Sequence, residues 1–299
     1  MVLVPPSCDR ADMRAIIAAT QFVAIAFLAT PACGDELSDI LGSYSESHTE
    51  VRASQPAWSS PLVTTTAMLE QRLRFDVEQQ HSGNGADTTE LDGSRALDLI
   101  IGDSNEIQMA IAPYEFRNTP GSRNHSGFAD GSVFRFEQRL ASSPASGDDY
   151  VMTAWLQVQA PAGIETFTNG AWVLQPTLAV GKGWGNFDIQ ATVGALLPTS
   201  NASTLGNQVQ SNVAFQYHVG QVFWPELEVN WTYYDGGQRN GLNQIYLTPG
   251  LVVGRFDVDE ALKFTFGFGY QTAVSPDYRP KPLTPAYDHA WILTSRLNF

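Results

Sequence analysis

Apolar and polar residues alternate along most of the chain, with the period of two that is typical of a strand with two different faces. The clearest example is residues 69–78, where the even positions are all charged and the odd positions are mostly apolar. A helix would distribute these charges around its circumference, whereas a strand places all of them on one side. The pattern therefore predicts a strand with one polar and one apolar face.

Twelve such segments occur between residue 61 and the end of the chain, most of them about 9–13 residues long, which suits strands that cross a membrane at a tilt. Strands of soluble proteins are usually about 5–6 residues long. The predicted strands are 69–78, 96–102, 107–116, 132–140, 150–158, 172–182, 186–196, 208–218, 222–234, 244–253, 262–272 and 289–299.

The predicted connections alternate in length as well. They are very short after strands two, six and eight, intermediate after four and ten, and longer after the odd-numbered strands, as in 79–95 and 273–288. Short turns at one end and long loops at the other are typical of outer-membrane barrels, and so is an even number of strands. The sequence predicts an all-β fold, a transmembrane antiparallel up-and-down β-barrel of about 12 strands, with a soluble β-sandwich or secreted barrel as the alternative.

Charged side chains are costly toward lipid, so we expect those on the predicted strands to face the lumen. Two interpretations stay open for them: they pair with one another and fill the lumen, or they line a path and set its selectivity. The predicted lumen residues are Glu70, Arg72, Arg74, Asp76, Glu78, Arg135, Glu137, Arg139, Glu226, Glu228, Lys263 and Arg296.

Aromatic residues recur at the expected ends of the apolar faces. Phe223 and the pair Trp231/Tyr233 lie on one face of strand nine, roughly 19–23 Å apart along the membrane normal. That is close to the band of about 25 Å between the aromatic girdles of such barrels. Trp291 and Phe299 repeat the spacing on the last strand. The chain ends on the aromatic Phe299, as bacterial outer-membrane barrels do, and such a terminus is read by the barrel-assembly machinery.

The first apolar segment predicts secretion. An uncharged stretch runs from Ala15 to Gly34, follows Arg14 and ends among small residues, which is typical of a signal peptide. We interpret residues 1–34 as the signal, with 1–12 as a mis-assigned start, because Met13 is the more natural one. A single membrane anchor is the alternative, and the stretch is borderline in length for it.

Cleavage is expected after Ala32 or Gly34, which leaves no pair of cysteines for a disulfide. Lipid modification of Cys33 is a further alternative. The polar residues 35–60 follow as an N-terminal extension, and three states stay open for them: a periplasmic extension, a plug in the lumen, or disorder. The barrel is expected to occupy 61–299.

Composition narrows the class of partner. Charged residues make up 16% of the chain, against about 25% in an average soluble domain, and the net charge is −14. Such an acidic balance argues against nucleic acid as a partner. The mean hydropathy of −0.15 argues against a polytopic helical membrane protein. The partners expected instead are outer-membrane lipid and a small-molecule solute.

The sequence offers few residues that could carry out catalysis or bind a metal ion. Outer-membrane lipid hydrolases use a Ser two residues after a His on one strand, and none of His48, His81, His125, His218 or His289 has one. The acidic groups Asp148/Asp149 and Asp257/Asp259/Glu260 lie in predicted turns, where carboxylates are usually solvated, although such turns can hold Ca²⁺. The sequence therefore predicts no catalytic residues, no metal and no cofactor, and no enzyme; a lipid hydrolase stays a minor alternative.

Short motifs in the second half resemble a known family. The segments Leu-Leu-Pro-Thr at 196–199, Leu-Thr-Pro-Gly-Leu at 247–251 and Phe-Gly-Phe-Gly-Tyr-Gln at 266–271 are similar to the outer-membrane family named for the meta-pathway of phenol degradation. The segment 101–108 resembles an early hairpin of that family. The resemblance implies a barrel that passes small, often hydrophobic or aromatic, molecules, and it carries over no catalytic residues. A closed structural or adhesive barrel is the alternative.

Overall fold

The computed structural model describes residues 49–91, 97–259, 262–275 and 287–299. The predicted signal, both cysteines, His48, Glu260 and most of the extension 35–60 lie outside the described residues. Within them, no helix is long and apolar enough to cross a membrane.

Fifteen β-segments form one antiparallel sheet that closes on itself, because the last segment pairs with the first over their whole length. They are β1 (Arg72–His81), β2 (Asp87–Leu91), β3 (Leu97–Ile101), β4 (Asn105–Met109), β5 (Tyr114–Asn118), β6 (His125–Phe128), β7 (Gly131–Ser143), β8 (Tyr150–Ala160), β9 (Val173–Trp184), β10 (Phe187–Pro198), β11 (Asn207–Tyr217), β12 (Phe223–Asp235), β13 (Asn243–Asp259), β14 (Leu262–Ser275) and β15 (His289–Asn298). Ala202–Leu205 form a helical turn and Gly237–Arg239 a 3-10 turn.

The fifteen segments make twelve wall strands. Segments β2 and β3 both pair with β1, β4 and β5 continue the third strand, and β6 and β7 form the fourth. The predicted twelve-stranded antiparallel barrel is confirmed. Each strand presents apolar side chains outward, such as Phe134 and Phe136 on β7, while Arg135 and Glu137 between them are buried inside.

Three predicted boundaries are wrong. The first strand begins at Arg72 instead of Leu69, because the backbone of Leu69 and Glu70 bonds to lumen side chains and not to a neighbouring strand. The long loop predicted over 79–95 contains strand in its described part, since β1 and β2 pair up to His81 and Asp87 and leave only 82–86 as the connection. The link predicted at 254–261 is also mostly strand, because β13 runs to Asp259.

The two ends of the barrel differ. We call the end with the connections 102–104, 144–149, 185–186, 218–222 and 260–261, together with the C-terminus, the turn end. The other end, with the connections 82–86, 119–124, 161–172, 199–206, 236–242 and 276–288, is the loop end. The first two loop-end connections are as short as the turns, so the difference in length rests on the later four.

Candidate functional site

The lumen differs between the two halves of the barrel. In the turn-end half, inward-facing side chains such as Arg72, Glu137, Gln190 and Glu228 are nearly inaccessible to solvent. Toward the loop end, Glu78 of β1 and Gln157 of β8 are half-buried, whereas Asn230, Thr248 and Gln271 of β12 to β14 are buried. The cause of the turn-end burial is the chain itself: residues 55–71, which we call the lumen segment, lie inside the turn-end half and contact the inward faces of strands all around the barrel.

Two glutamates of β12 hold the backbone of the lumen segment by its N–H groups. The amides of three consecutive residues, Leu62, Val63 and Thr64, donate to carboxylates. Leu62 donates to Glu226 Oε1 at 3.0 Å, and the next two donate to Glu228 Oε1 and Oε2 at 2.7 and 2.5 Å. Hydrogen bonds to charged groups are stronger than neutral ones, so this is a firm attachment.

Arginines hold the carbonyl groups of the same segment. Arg296 donates to the carbonyls of Ser60 and Pro61, and Arg74 donates to that of Leu62 at 2.5 Å. Arg255 donates in the same way to the carbonyls of residues 57 and 58. The wall therefore satisfies the backbone polar groups of a segment that forms no sheet ladder, as burial requires.

A gap in the wall receives the side chain of Leu62. Three inward positions on β13 and β14 are glycines, Gly250, Gly267 and Gly269, and a Cβ placed on any of them would collide with a Leu62 methyl group. We call these three residues the glycine socket. Leu62 is 1% exposed there and packs with Trp224 and Val252. The socket thus fixes the segment at the point where Glu226 and Glu228 bind its backbone.

Trp58 anchors the turn-end side of the segment. Its ring packs against Val151, Trp155 and Ala179 and occupies the space left by Gly181. The indole N–H donates to Asp149 Oδ2 at 3.3 Å. Asp149, which the sequence placed in a turn as part of an acidic pair, thereby serves as a hydrogen-bond acceptor for the segment.

We expect Trp58→Phe to lower the free energy of unfolding by about 1 kcal/mol, because it removes one hydrogen bond and some packing area while the aromatic ring remains. Thermal unfolding in detergent measures the change. Trp172→Phe, at a half-exposed loop-end position, is the matched control and should leave the transition unchanged. Equal effects of the two substitutions would contradict the anchoring role of Trp58.

An ion network lies beside the segment, on the first four strands. Arg72 binds Asp98 at 2.8 Å, and Arg135 binds Glu106 at 2.9 Å and Glu137 at 3.2 Å. Arg72 also pairs with Glu70, whose own amide donates to Glu106. These side chains pair with one another, as one of the two interpretations of the predicted lumen charges has it.

The remaining predicted lumen residues are placed as follows. Asp76 accepts from Arg74 at 2.8 Å, and Glu78 lies half-buried toward the loop end. Arg139 lies at the turn-end rim, where it donates to the carbonyls of Val51 and Asp103. Lys263 also lies at that rim, level with Asn298, and pairs with Asp257 at 3.1 Å. Its side chain is 42% exposed, so it stands apart from the buried lumen charges.

The loop-end half is lined by uncharged polar groups on one side. Carboxamides and hydroxyls along β8 to β14, which we call the belt, bond in two groups: Gln157, Gln159, Gln175 and Gln210 form one, and Thr192, Asn212, Asn230, Thr248 and Gln271 form the other. Tyr246 and Tyr287 stack at 4.9 Å beside it. On the other side Glu78, Glu90 and Glu115 lie directly opposite one another on three neighbouring strands.

The predicted girdle residues all lie on outward-facing positions of their strands or at the chain end. Phe223 is at the turn end of β12, while Trp231 and Tyr233 stack near its loop end at 6.5 Å. The Trp291 ring packs against Phe268 and Tyr270, with ring centroids 5.2 Å and 4.7 Å apart. Phe299 follows β15, and its amide donates to the carbonyl of Gln71.

The described histidines contact aromatic rings, a carboxylate and a threonine hydroxyl. His81 stacks on His289 at 4.8 Å and pairs with Asp87, His218 stacks on Trp224 at 4.4 Å, and His125 contacts Thr166. Over the described ranges, no group of three or more His, Cys, Asp or Glu side chains is arranged to hold a metal ion.

The glycine socket and the contacts of Leu62 were not predicted from the sequence. Glycines at alternate positions 267 and 269 in an aromatic-rich strand are the available signal, because glycine inside a strand often marks a close approach of another chain segment. Trp58 and Leu62, two large apolar residues in a stretch without strand periodicity, are the other.

Comparisons with known proteins bear on the fold alone. No family model matches the chain, and no curated protein matches it. Among solved structures, the COG4313 outer membrane channel from Pseudomonas putida F1 is similar with a TM-score of 0.55 at 14% identity, over 81% of this chain and 100% of that one. The NanC porin is similar with a TM-score of 0.48 at 9% identity, over 75% of this chain and 100% of that one. The chain therefore has the closed antiparallel barrel fold found in an outer-membrane channel.

Proposed function

We propose that this protein is an outer-membrane channel for small solutes whose turn-end half is closed by its own lumen segment. The observation that carries the proposal is the combination of an apolar outer wall, a polar lumen and a buried peptide segment held by backbone contacts. The apolar wall suits lipid, and a polar interior is typical of barrels that conduct. The turn end, with the short connections and the C-terminus, faces the periplasm in this proposal.

The lumen charges have two roles in the proposed channel. Those on the first four strands pair with one another, while Glu226, Glu228, Arg74, Arg255 and Arg296 hold the lumen segment. A path through the barrel requires this segment to move, because the side chains around it leave almost no accessible surface in the turn-end half. The segment is thus the gate of the channel.

The solute class follows from the resemblance to the phenol meta-pathway family, which points to small hydrophobic or aromatic molecules. The stacked Tyr246 and Tyr287 are half-buried in the loop-end half and offer an aromatic surface there, near the half-buried Asn212 amide. The proposed function is transport without catalysis, and Phe299 is the proposed signal for the barrel-assembly machinery.

Conductance of the refolded chain in a planar bilayer, with solute uptake into liposomes, tests the proposal. We expect brief, rare openings of the unchanged protein, since the docked segment closes the lumen for most of the time. If neither the unchanged protein nor a variant with a weakened segment conducts, the barrel is closed and has a structural or adhesive role. Turnover of phospholipid that is lost in His125→Ala would instead identify a lipid hydrolase.

A further inference from the structure

A cavity of about 260 Å³ lies at the turn end between the lumen segment and the barrel wall. One side of it belongs to the segment and to the short helical stretch 49–53 before it, and the other side to the wall. The residues that line it include Arg52, Ala53, Pro56, Ala57, Glu70 and Arg255. Arg52 and Ala53 are exposed, so the cavity is reached from solvent at this end.

Two arginines at this cavity form no direct ion pair with a described carboxylate, although Glu70 and Asp188 attract Arg255 from a greater distance. Glu70 is engaged by Arg72 and by the hydroxyl of Ser60. The guanidinium of Arg255 bonds to two backbone carbonyls and to no carboxylate, and that of Arg52 has no hydrogen bond or ion pair, among the residues that the structure describes. Both arginines also line a small adjoining cavity, together with Arg296.

The apolar part of the cavity wall that a ligand can reach belongs to residues 53–57. Ala53 and Ala57 are exposed there, and Pro56 lies beside them. Met68 and Leu69 also line the cavity, but their side chains are 4% and 1% exposed and pack into separate apolar clusters. An apolar ligand group can therefore contact the two alanines.

We propose that this turn-end cavity binds a small organic carboxylate with an apolar body, such as an aromatic acid. The carboxylate lies between Arg52 and Arg255, and the apolar body packs against Ala53 and Ala57. An apolar site with a few converging polar groups is the usual form of a small-molecule site, and its small volume restricts the ligand to about the size of one ring. The ligand touches both the segment and the wall, so its binding holds the segment in place.

The proposal does not depend on transport, because equilibrium binding tests it. Fluorine NMR of 4-fluorobenzoate with the refolded full chain in detergent measures binding, with 4-fluorobenzamide as the neutral probe. We expect submillimolar to millimolar affinity for the carboxylate, as is usual for so small a ligand. The amide should bind at least about tenfold more weakly, because it lacks the charge-assisted hydrogen bonds.

Three substitutions complete the test. Arg52→Gln should weaken 4-fluorobenzoate binding about tenfold, and Ala53→Phe should abolish it by filling the cavity without changing any charge. Arg123→Gln, at an exposed loop-end position, is the matched control and should leave binding unchanged. Equal binding of benzoate and benzamide, or unchanged binding in both Arg52→Gln and Ala53→Phe, would overturn the proposal. Inorganic phosphate competing as well as benzoate would overturn the proposed ligand class.

Discussion

Replacing Glu228 by glutamine is expected to raise the open fraction of the channel about 10- to 100-fold. Both carboxylate oxygens of Glu228 accept backbone N–H groups, from Val63 at 2.7 Å and Thr64 at 2.5 Å. A carboxamide offers one acceptor oxygen and turns an NH₂ group toward the other N–H. At least one charge-assisted hydrogen bond, which contributes about 1.5–3 kcal/mol, is therefore lost. Since about 1.4 kcal/mol is a factor of ten, the equilibrium between docked and released segment shifts by that amount.

Single-channel recording in planar bilayers measures this change as open probability. Glu165→Gln is the matched control, because it makes the same chemical change at an exposed residue of a loop-end connection. The control should behave like the unchanged protein. An open probability of Glu228→Gln that equals that of the control would show that these hydrogen bonds do not hold the segment.

The second large effect is expected at the glycine socket. Leu62→Ala should weaken docking of the segment by about 2–5 kcal/mol, because it leaves a cavity among Gly250, Gly267 and Gly269. Gly269→Ala should weaken docking as well, for the opposite reason: its new methyl group would lie 2.6 Å from a Leu62 methyl group, and the next nearest atom is at 3.4 Å.

The two substitutions are expected to compensate each other. In the Leu62→Ala background, the methyl group of Gly269→Ala meets open space and partly fills it, so the double variant should dock its segment about as well as Leu62→Ala alone or better. A double-mutant cycle on channel open probability, or on hydrogen exchange of the Leu62–Thr64 amides, isolates this coupling. Strictly additive effects would mean that Leu62 does not occupy the socket.

The wall of the barrel was predictable because lipid and lumen impose opposite chemistry on alternate residues. The lipid face and the lumen face can be assigned from the alternation of Phe134, Arg135, Phe136 and Glu137 alone. Only a strand places both aromatic side chains on one face and both charged side chains on the other. The predicted strand boundaries were wrong where the alternation of apolar and polar residues does not coincide with strand pairing. Leu69 and Glu70 continue the alternation of the first strand, yet their backbone turns into the lumen, which side-chain periodicity cannot report.

The lumen segment was less predictable because it has no periodicity of its own. Most of the side chains that hold its backbone lie far away in the chain, as with Leu62 and Glu226, which are 164 residues apart. Inward charge on a strand indicates a polar interior but does not identify its partner, so Glu228 could equally have lined a water-filled path. The socket glycines lie within the motifs that carry the family resemblance, where they looked like turn and packing features.

The central claim, that the lumen segment closes the barrel, is tested most directly by tethering the segment reversibly. Leu62→Cys and Gly269→Cys place two thiols in the socket, because a Cβ at position 269 lies next to the Leu62 side chain. Glu228→Gln favours release, and Cys8→Ser with Cys33→Ser removes the native thiols. The oxidised protein should be silent in a planar bilayer and should conduct after reduction. Equal conductance before and after reduction, with the disulfide verified, would contradict the account.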